Sequence, residues 1–319
     1  MQQWITALSV LLFIAKIIAY YLTHSLAILS DALESIVNVT AGFIGLYSLY
    51  VAAKPKDFEH PYGHGKAEFI SAAAEGALII AAGFLILYET IENMIENKPL
   101  EALDKGLVIV AVTALINYVA GFICIKTGKQ NNSAALTASG KHLQIDTYST
   151  IIIIAAIAVM LFTKLLLLDK IVALIMSIVV IYNGYKIIRK SLAGIMDEAD
   201  KELLGKMVTL LNANRRENWI DLHNLRVIKY GSVLHVDCHL TVPWYLNVRE
   251  AHSEIEALAK LIKKEFGETM EFFVHNDGCE TFSCNICYKN GCNVRQHPFE
   301  KRIEWTLQNI SRDLKHRLE

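Results

Sequence analysis

The stretch SLAILSDALESIVNVTAGFIG, Ser25–Gly45, decides how the fold is read. It is apolar enough to enter a bilayer, yet Asp31, Glu34 and Asn38 recur in it at spacings of three and four residues. Such spacings share one face of an α-helix, so the three side chains form a polar stripe on an otherwise apolar rod. A carboxylate at the centre of a membrane costs about 2.5 kcal/mol or more, and its presence there marks a functional site with a partner elsewhere in the bundle.

Working outward, the 319 residues are 53% hydrophobic and 20% charged, and the apolar residues are concentrated before residue 190. Runs near residues 4–22, 26–52, 68–92, 106–127, 134–163 and 167–188 each approach the roughly 20 residues that cross a bilayer. The first is longer than the apolar core of a signal peptide and is closed by no small-residue cleavage site, so it counts as a span. Residues 1–195 are therefore expected to form an α-helical membrane domain of six transmembrane helices, and an even number of spans puts both ends on one side. Lys54, Lys56, Lys66, Lys126 and Arg189 flank that side while the opposite loops are poor in basic residues, which makes it the cytoplasmic one. The expected location is the inner membrane of a bacterium, as a multi-pass protein with both termini cytoplasmic. Lys16, inside the first span, either snorkels or pairs within the bundle.

The stripe finds its partner in the fifth span, in SGKHLQIDTYST, Ser139–Thr150. His142 and Asp146 are four apart and share a face with Ser139 and Ser149. Two helices that each offer N or O donors at i and i+4 supply four ligands, the number a tetrahedral transition-metal site takes. An interhelical hydrogen-bond network is the plainer alternative. Between spans two and three, KDFEHPYGHGKAEFI carries a second set, Asp57, His60 and His64, on a segment where Pro61, Gly63 and Gly65 point to a loop that wraps an ion or is simply solvated.

The stripe, the loop HPYGHGKAE, the KHLQID of span five, the GIMDEAD after span six and DLHNLRVIKYGSVLHVDCHLTV together resemble the cation diffusion facilitators, exporters of divalent metals such as zinc by proton antiport. The resemblance runs from residue 1 to about 277. It implies a transport site of Glu34, Asn38, His142 and Asp146, with Asn38 where zinc-preferring members carry Asp and Glu34 where they carry Asp or His. An amide oxygen is a weaker donor than a carboxylate, so Asp31, one turn before Glu34, is a candidate compensating ligand. The resemblance also implies a charge pair, Lys66 with Asp197, that locks the third helix to the end of the sixth at a dimer interface; each residue alone would read as an interfacial anchor.

Periodicity in the tail predicts helix over 200–213 and 249–266 and strand over 223–229, 234–242 and 270–276. This is an α+β ferredoxin-like αββαβ order lacking one strand, and the resemblance makes residues 196–277 a cytoplasmic dimerisation and metal-regulation domain. It places a regulatory metal on His223, His239, His252, His275 and Asp277, positions that packing alone would otherwise explain. Residues 278–319 lie beyond the resemblance. Cys279, Cys284, Cys287, Cys292 and His297 fall in the first part of this segment, and only Cys124 and Cys238 lie elsewhere. In a reducing cytoplasm such clustering points to thiolate coordination, of zinc or less simply of an iron–sulfur cluster, with inert surface thiols as the remaining reading. Metal is expected to fold this segment. Ile303, Leu307, Ile310 and Leu314 predict a terminal amphipathic helix over 298–317.

The composite expectation is a homodimeric antiporter in the lipid bilayer that exchanges zinc, iron or cobalt for protons. A membrane-anchored metal sensor with little transport is the alternative. No nucleophile stands beside a base and no phosphate loop occurs, so neither an enzyme nor a nucleic-acid partner is expected.

Overall fold

Six long helices carry the apolar runs: α1 Gln2–Thr23, α2 Leu26–Ala52, α3 Ala67–Glu96, α4 Leu103–Gln130, α5 Ala134–Thr163 and α6 Leu167–Ile195. The computed structural model describes residues 2–96, 100–130, 134–165, 167–231, 233–267 and 269–318, without the side chains of 2–6, 128, 134–139 and 142. Five of these helices are long and apolar enough to cross a membrane, and α1 contributes a shorter apolar stretch, Ala7–Thr23. Large apolar side chains such as Leu11, Phe43, Phe84, Phe122 and Ile178 stay exposed on the helices. Water would not tolerate so much of this surface, and hydrocarbon covers it at no cost.

Inside the bundle, small residues let backbones touch. A Cβ on Gly184 of α6 would lie 2.8 Å from the carbonyl oxygen of Gly76 on α3, and one on Gly121 of α4 would lie 2.8 Å from that of Gly140 on α5. Contacts this short exclude any side chain, so both crossings depend on glycine. The start of α2 is held differently. Asp169, in the first turn of α6, accepts from Ser25 Oγ at 2.5 Å, Leu26 N at 2.8 Å and Ala27 N at 3.3 Å. It thereby satisfies first-turn donors that have no partner within α2, at a place where all four residues are buried.

The second compact unit comprises residues 51–68 and 193–319, the first being residues 1–50 and 69–192. Its order is α7 Lys201–Ala213, β1 Asp221–Tyr230, β2 Val233–Val242, α8 Val248–Phe266 and β3 Met270–Gly278, the αββαβ sequence of elements expected. β1 pairs antiparallel to β2, and β3 pairs parallel to β2 through the α8 crossover, giving the sheet order β1-β2-β3. Asp200 caps α7 through the N–H groups of Glu202 and Leu203, and Asn247 with Glu250 forms a capping box on α8. Leu204, Met207 and Leu211 of α7 and Leu258 and Ile262 of α8 pack on Leu222, Val236 and Leu240 of the sheet. Cys238 belongs to this core, where burial pushes its thiol up to about 12. It is a packing residue and no nucleophile.

Two expectations change here. The loop 51–68 belongs to this second unit: Lys56 pairs with Glu271, and the Tyr62 ring lies 5.7 Å from that of His235. Gly65 meets the β1–β2 turn so closely that a Cβ would fall 2.3 Å from the Tyr230 carbonyl carbon, so this glycine serves backbone packing and not only a metal-wrapping loop. Second, residues 298–317 do not form an amphipathic helix. Only Leu307–Ile310 is helical, as α9. Trp305 and Ile310 join the core beside α7, whereas Ile303 joins a separate cluster with Ile220, Ile286 and Cys287. One straight helical face cannot reach both clusters, so burial overrides the periodicity.

Candidate metal centres

In the bundle, the stripe of α2 meets α5. Asn38 Nδ2 donates to Asp146 Oδ2 at 3.0 Å, and Ser149 Oγ donates to Glu34 Oε2 at 3.4 Å. His142 lies on α5 one turn before Asp146, and its side chain falls outside the described residues. Three of the four proposed ligands, Glu34, Asn38 and Asp146, therefore converge between two helices, with Asp146 itself buried. Asp31 has partners of its own: its Oδ1 is 2.9 Å from Lys16 Nζ, the buried cation of α1, and accepts from Thr150 Oγ1 at 2.8 Å. The sequence signalled this only through a lone lysine in an apolar span.

In the loop, Asp57, His60 and His64 bring ligand atoms within 4.8 Å of one another. The His60 N–H donates to Asp57 Oδ1 at 2.6 Å and, with the His60 ring, holds that carboxyl below its ordinary range. A carboxylate kept ionised beside two imidazoles is a sound donor set for a borderline cation. Lys66 follows directly, with Nζ 2.9 Å from Asp197 Oδ2 and 3.3 Å from the Ile195 carbonyl oxygen. The two residues named as a charge pair are thus in contact within this unit.

In the αββαβ domain, His223, His239 and Asp277 form a second group within 4.8 Å. Register places them together: His223 faces His239 across β1–β2, and β2–β3 pairing sets Asp277 beside Thr241. His275 flanks the group, its Nε2 3.5 Å from Asp277 Oδ1 and its ring 4.7 Å from that of His239. His252 does not join it. It sits exposed on α8 against Glu256 at 3.7 Å.

Sequence reasoning missed the strap over this site. Lys315 Nζ lies 3.8 Å from Asp277 Oδ1 and 2.9 Å from Glu280 Oε1, and His316 Nδ1 lies 2.5 Å from Asp221 Oδ1. Burial alone would raise the Asp221 carboxyl, but bonds to His223 and His316 outweigh it and hold the group well below the usual range. Asp313, Leu314, Lys315 and Arg317 complete a cavity of about 430 Å³ with His223, His239 and Asp277. No periodicity or spacing announces such a return of the chain.

The cysteine segment has apolar and hydrogen-bonded contacts of its own. Among the described residues no group of three donors within 4.8 Å includes a cysteine, and His297 is exposed. Ile286 and Cys287 are buried against Ile220, while Arg295 donates to the carbonyl oxygens of Cys284, Cys287 and Lys289 at 2.9 Å each. The thiols are nonetheless neighbours. Burial first, and then Cys287, Cys284 and Cys292, push the Cys279 thiol up.

A six-helix apolar bundle with facing polar stripes, joined to an αββαβ domain with its own His/Asp cluster, defines a multi-pass membrane carrier of metal cations. A family model described as the cation efflux transmembrane domain matches residues 4–196, and one described as the cation efflux protein cytoplasmic domain matches residues 199–279. The chain belongs to the cation efflux family, the cation diffusion facilitators. It is 31% identical over 247 residues to an uncharacterized transporter of Synechocystis, covering 77% of this chain and 80% of that protein. It is 27% identical to metal tolerance protein C1 of Arabidopsis thaliana, over 93% of this chain and 66% of that one. To the cation-efflux pump FieF of Pectobacterium atrosepticum it is 24% identical, over 85% and 90%.

Proposed function

We propose that the chain exports a divalent transition metal, zinc, iron or cobalt, from the cytoplasm in exchange for protons, by alternating access in a homodimer. The observation that carries this reading is the meeting of α2 and α5, where Asn38 touches Asp146 at 3.0 Å and Ser149 touches Glu34 at 3.4 Å. With His142 these residues give oxygen and imidazole donors, a set that suits borderline cations, whereas a manganese-type site would be all oxygen. His142 and the acids bind metal only after losing protons, so occupancy and proton release are linked, and exposing the site to each side in turn yields exchange. The names of the Pectobacterium and Arabidopsis relatives, an efflux pump and a metal tolerance protein, support efflux as the direction.

In this reading the Asp57/His60/His64 and His223/His239/Asp277 groups hold further ions that report cytoplasmic metal, the αββαβ domain joins two copies, and both termini are cytoplasmic. The Lys66–Asp197 contact ties the start of the third helix to the end of the sixth at that interface.

Flux in proteoliposomes, with zinc, iron, cobalt, nickel, manganese and cadmium offered separately, tests the proposal. Replacing Asp146 with Ala is expected to abolish flux of the preferred ion while the protein keeps its wild-type elution profile. Full flux in that variant would remove Asp146 from the site. Absence of flux for every ion, with metal held by the cytoplasmic unit, would favour a membrane-anchored sensor instead.

A further inference from the structure

The ion pair between Lys16 and Asp31 plays no part in the reading above, and packing does not explain it. The two side chains are 1% and 2% exposed and 2.9 Å apart. Apolar residues of similar volume would join α1 to α2 without the desolvation cost of two buried ions, and such replacements commonly stabilise a fold. The pair is also wired to the transport site. Lys16 Nζ donates to Ser35 Oγ at 2.9 Å, and the Thr150 hydroxyl lies 2.8 Å from both Asp31 Oδ1 and the Asp146 carbonyl oxygen. Asp31 thus stands one hydroxyl from the turn of α5 that carries Asp146, and one helical turn from Glu34. Its Oδ2 is buried and has no hydrogen-bond partner among the described residues.

Charge decides what such a carboxylate does. Glu34 and Asp146 bring two negative charges and Asn38 brings none, which matches a divalent cation. A free Asp31 would bring a third, tightening the grip on the ion and slowing its release. We propose that Lys16 is a positioning residue that withholds Asp31 from the transported cation and keeps the site at two negative charges. This inference rests on the transport-site reading of Glu34, Asn38 and Asp146. Asn38 and Lys16 then form one device: the amide leaves out one charge, and the ammonium cancels another.

Zinc and cobalt fluxes through the full chain in proteoliposomes, resolved into KM and kcat, test it with three variants. Lys16→Met keeps the stem and drops the charge, so Asp31 is released to the ion; KM is expected to fall about tenfold and kcat to fall with it. Asp31→Asn leaves the ammonium uncompensated beside the site, and KM is expected to rise about tenfold. The double variant Lys16→Met with Asp31→Asn restores the balance, and KM is expected to return to within about threefold of wild type. A double variant as weak as Asp31→Asn would show that Asp31 is itself a ligand and overturn the inference. Unchanged KM in all three, with only the melting temperature lowered, would reduce the pair to structure and overturn it as well. Should Lys16→Met fail to fold, Asp31→Asn against the double variant decides alone. Asp146→Ala, assayed in parallel, separates the readings: undiminished flux there removes the transport site itself, whereas lost flux there leaves the Lys16 inference to stand or fall on the other three.

Discussion

At Asn38 the amide nitrogen donates to Asp146 Oδ2 at 3.0 Å, a contact that an ionised carboxylate in its place could not make. Asn38→Asp would set two carboxylates face to face, where like charges about 4 Å apart repel by on the order of 4 kcal/mol at an effective dielectric of about 20. The metal-free variant is therefore expected to melt below the wild type, with zinc raising its melting temperature more than it raises that of the wild type. Thermal unfolding with and without zinc measures both, and equal gains in the two proteins would show that Asn38 points away from the ion. Residues of this kind were legible because helical period and lipid cost act together: Asp31, Glu34 and Asn38 cannot be an accident of composition in an apolar run. Their different surroundings were not legible. Asp31 and Glu34 are one turn apart and carry the same charge, and only the position of Lys16 on α1, with Nζ at 2.9 Å from Asp31, sets their environments apart.

Among elements, the C-terminal strap shows where periodicity fails. Ile303, Leu307, Ile310 and Leu314 have helical spacing, but Leu314 is 73% exposed while Ile310 is 1% exposed, so the four never share a buried face. Trp305 is the anchor. It is 1% exposed, its main chain pairs through both N and O with the Asn212 side chain, and the Arg215 guanidinium lies 4.0 Å over its ring. Deleting a buried tryptophan side chain costs about 3–5 kcal/mol. Trp305→Ala is accordingly expected to release residues 298–318, including Lys315 and His316 over the His223/His239/Asp277 site, and to open them to protease while α1–α6 stay intact. Limited proteolysis followed by mass mapping would report it, and an unaltered cleavage pattern would mean that other contacts hold the strap. The helices and strands of the αββαβ domain, by contrast, were readable to within a few residues, because caps at Asp200 and Asn247 and alternation in VLHVDCHLTV agree with the packing.

Across the whole molecule, hydropathy draws one boundary, at residue 195, while the compact units divide the chain in more than one place. Loop 51–68, read as a connection between spans, forms one compact unit with residues 193–319. Hydropathy sees only the solvent a residue prefers, and Gly65 reveals its close approach to Tyr230 only in three dimensions. The cysteine segment makes the converse point. Its thiols point to metal, and Ile286, Cys287 and Arg295 add apolar burial and backbone hydrogen bonds that no cysteine spacing announces. Cys284→Ser with Cys287→Ser is therefore expected to leave zinc flux at the wild-type level, and lost flux with the protein still folded would tie this segment to transport. The clasp of Asp169 on Ser25, Leu26 and Ala27 carries a mechanical consequence. A rod fastened at one end moves as a lever, and at about 1.5 Å of rise per residue Glu34 sits about 12 Å and Asn38 about 18 Å from that fulcrum. A tilt of about 10° would displace Asn38 by about 3 Å but Glu34 by only about 2 Å. If the proposed transport site is right, it would part first at the Asn38–Asp146 contact, like a zip opened from its free end, with Glu34 the last residue to let the ion go.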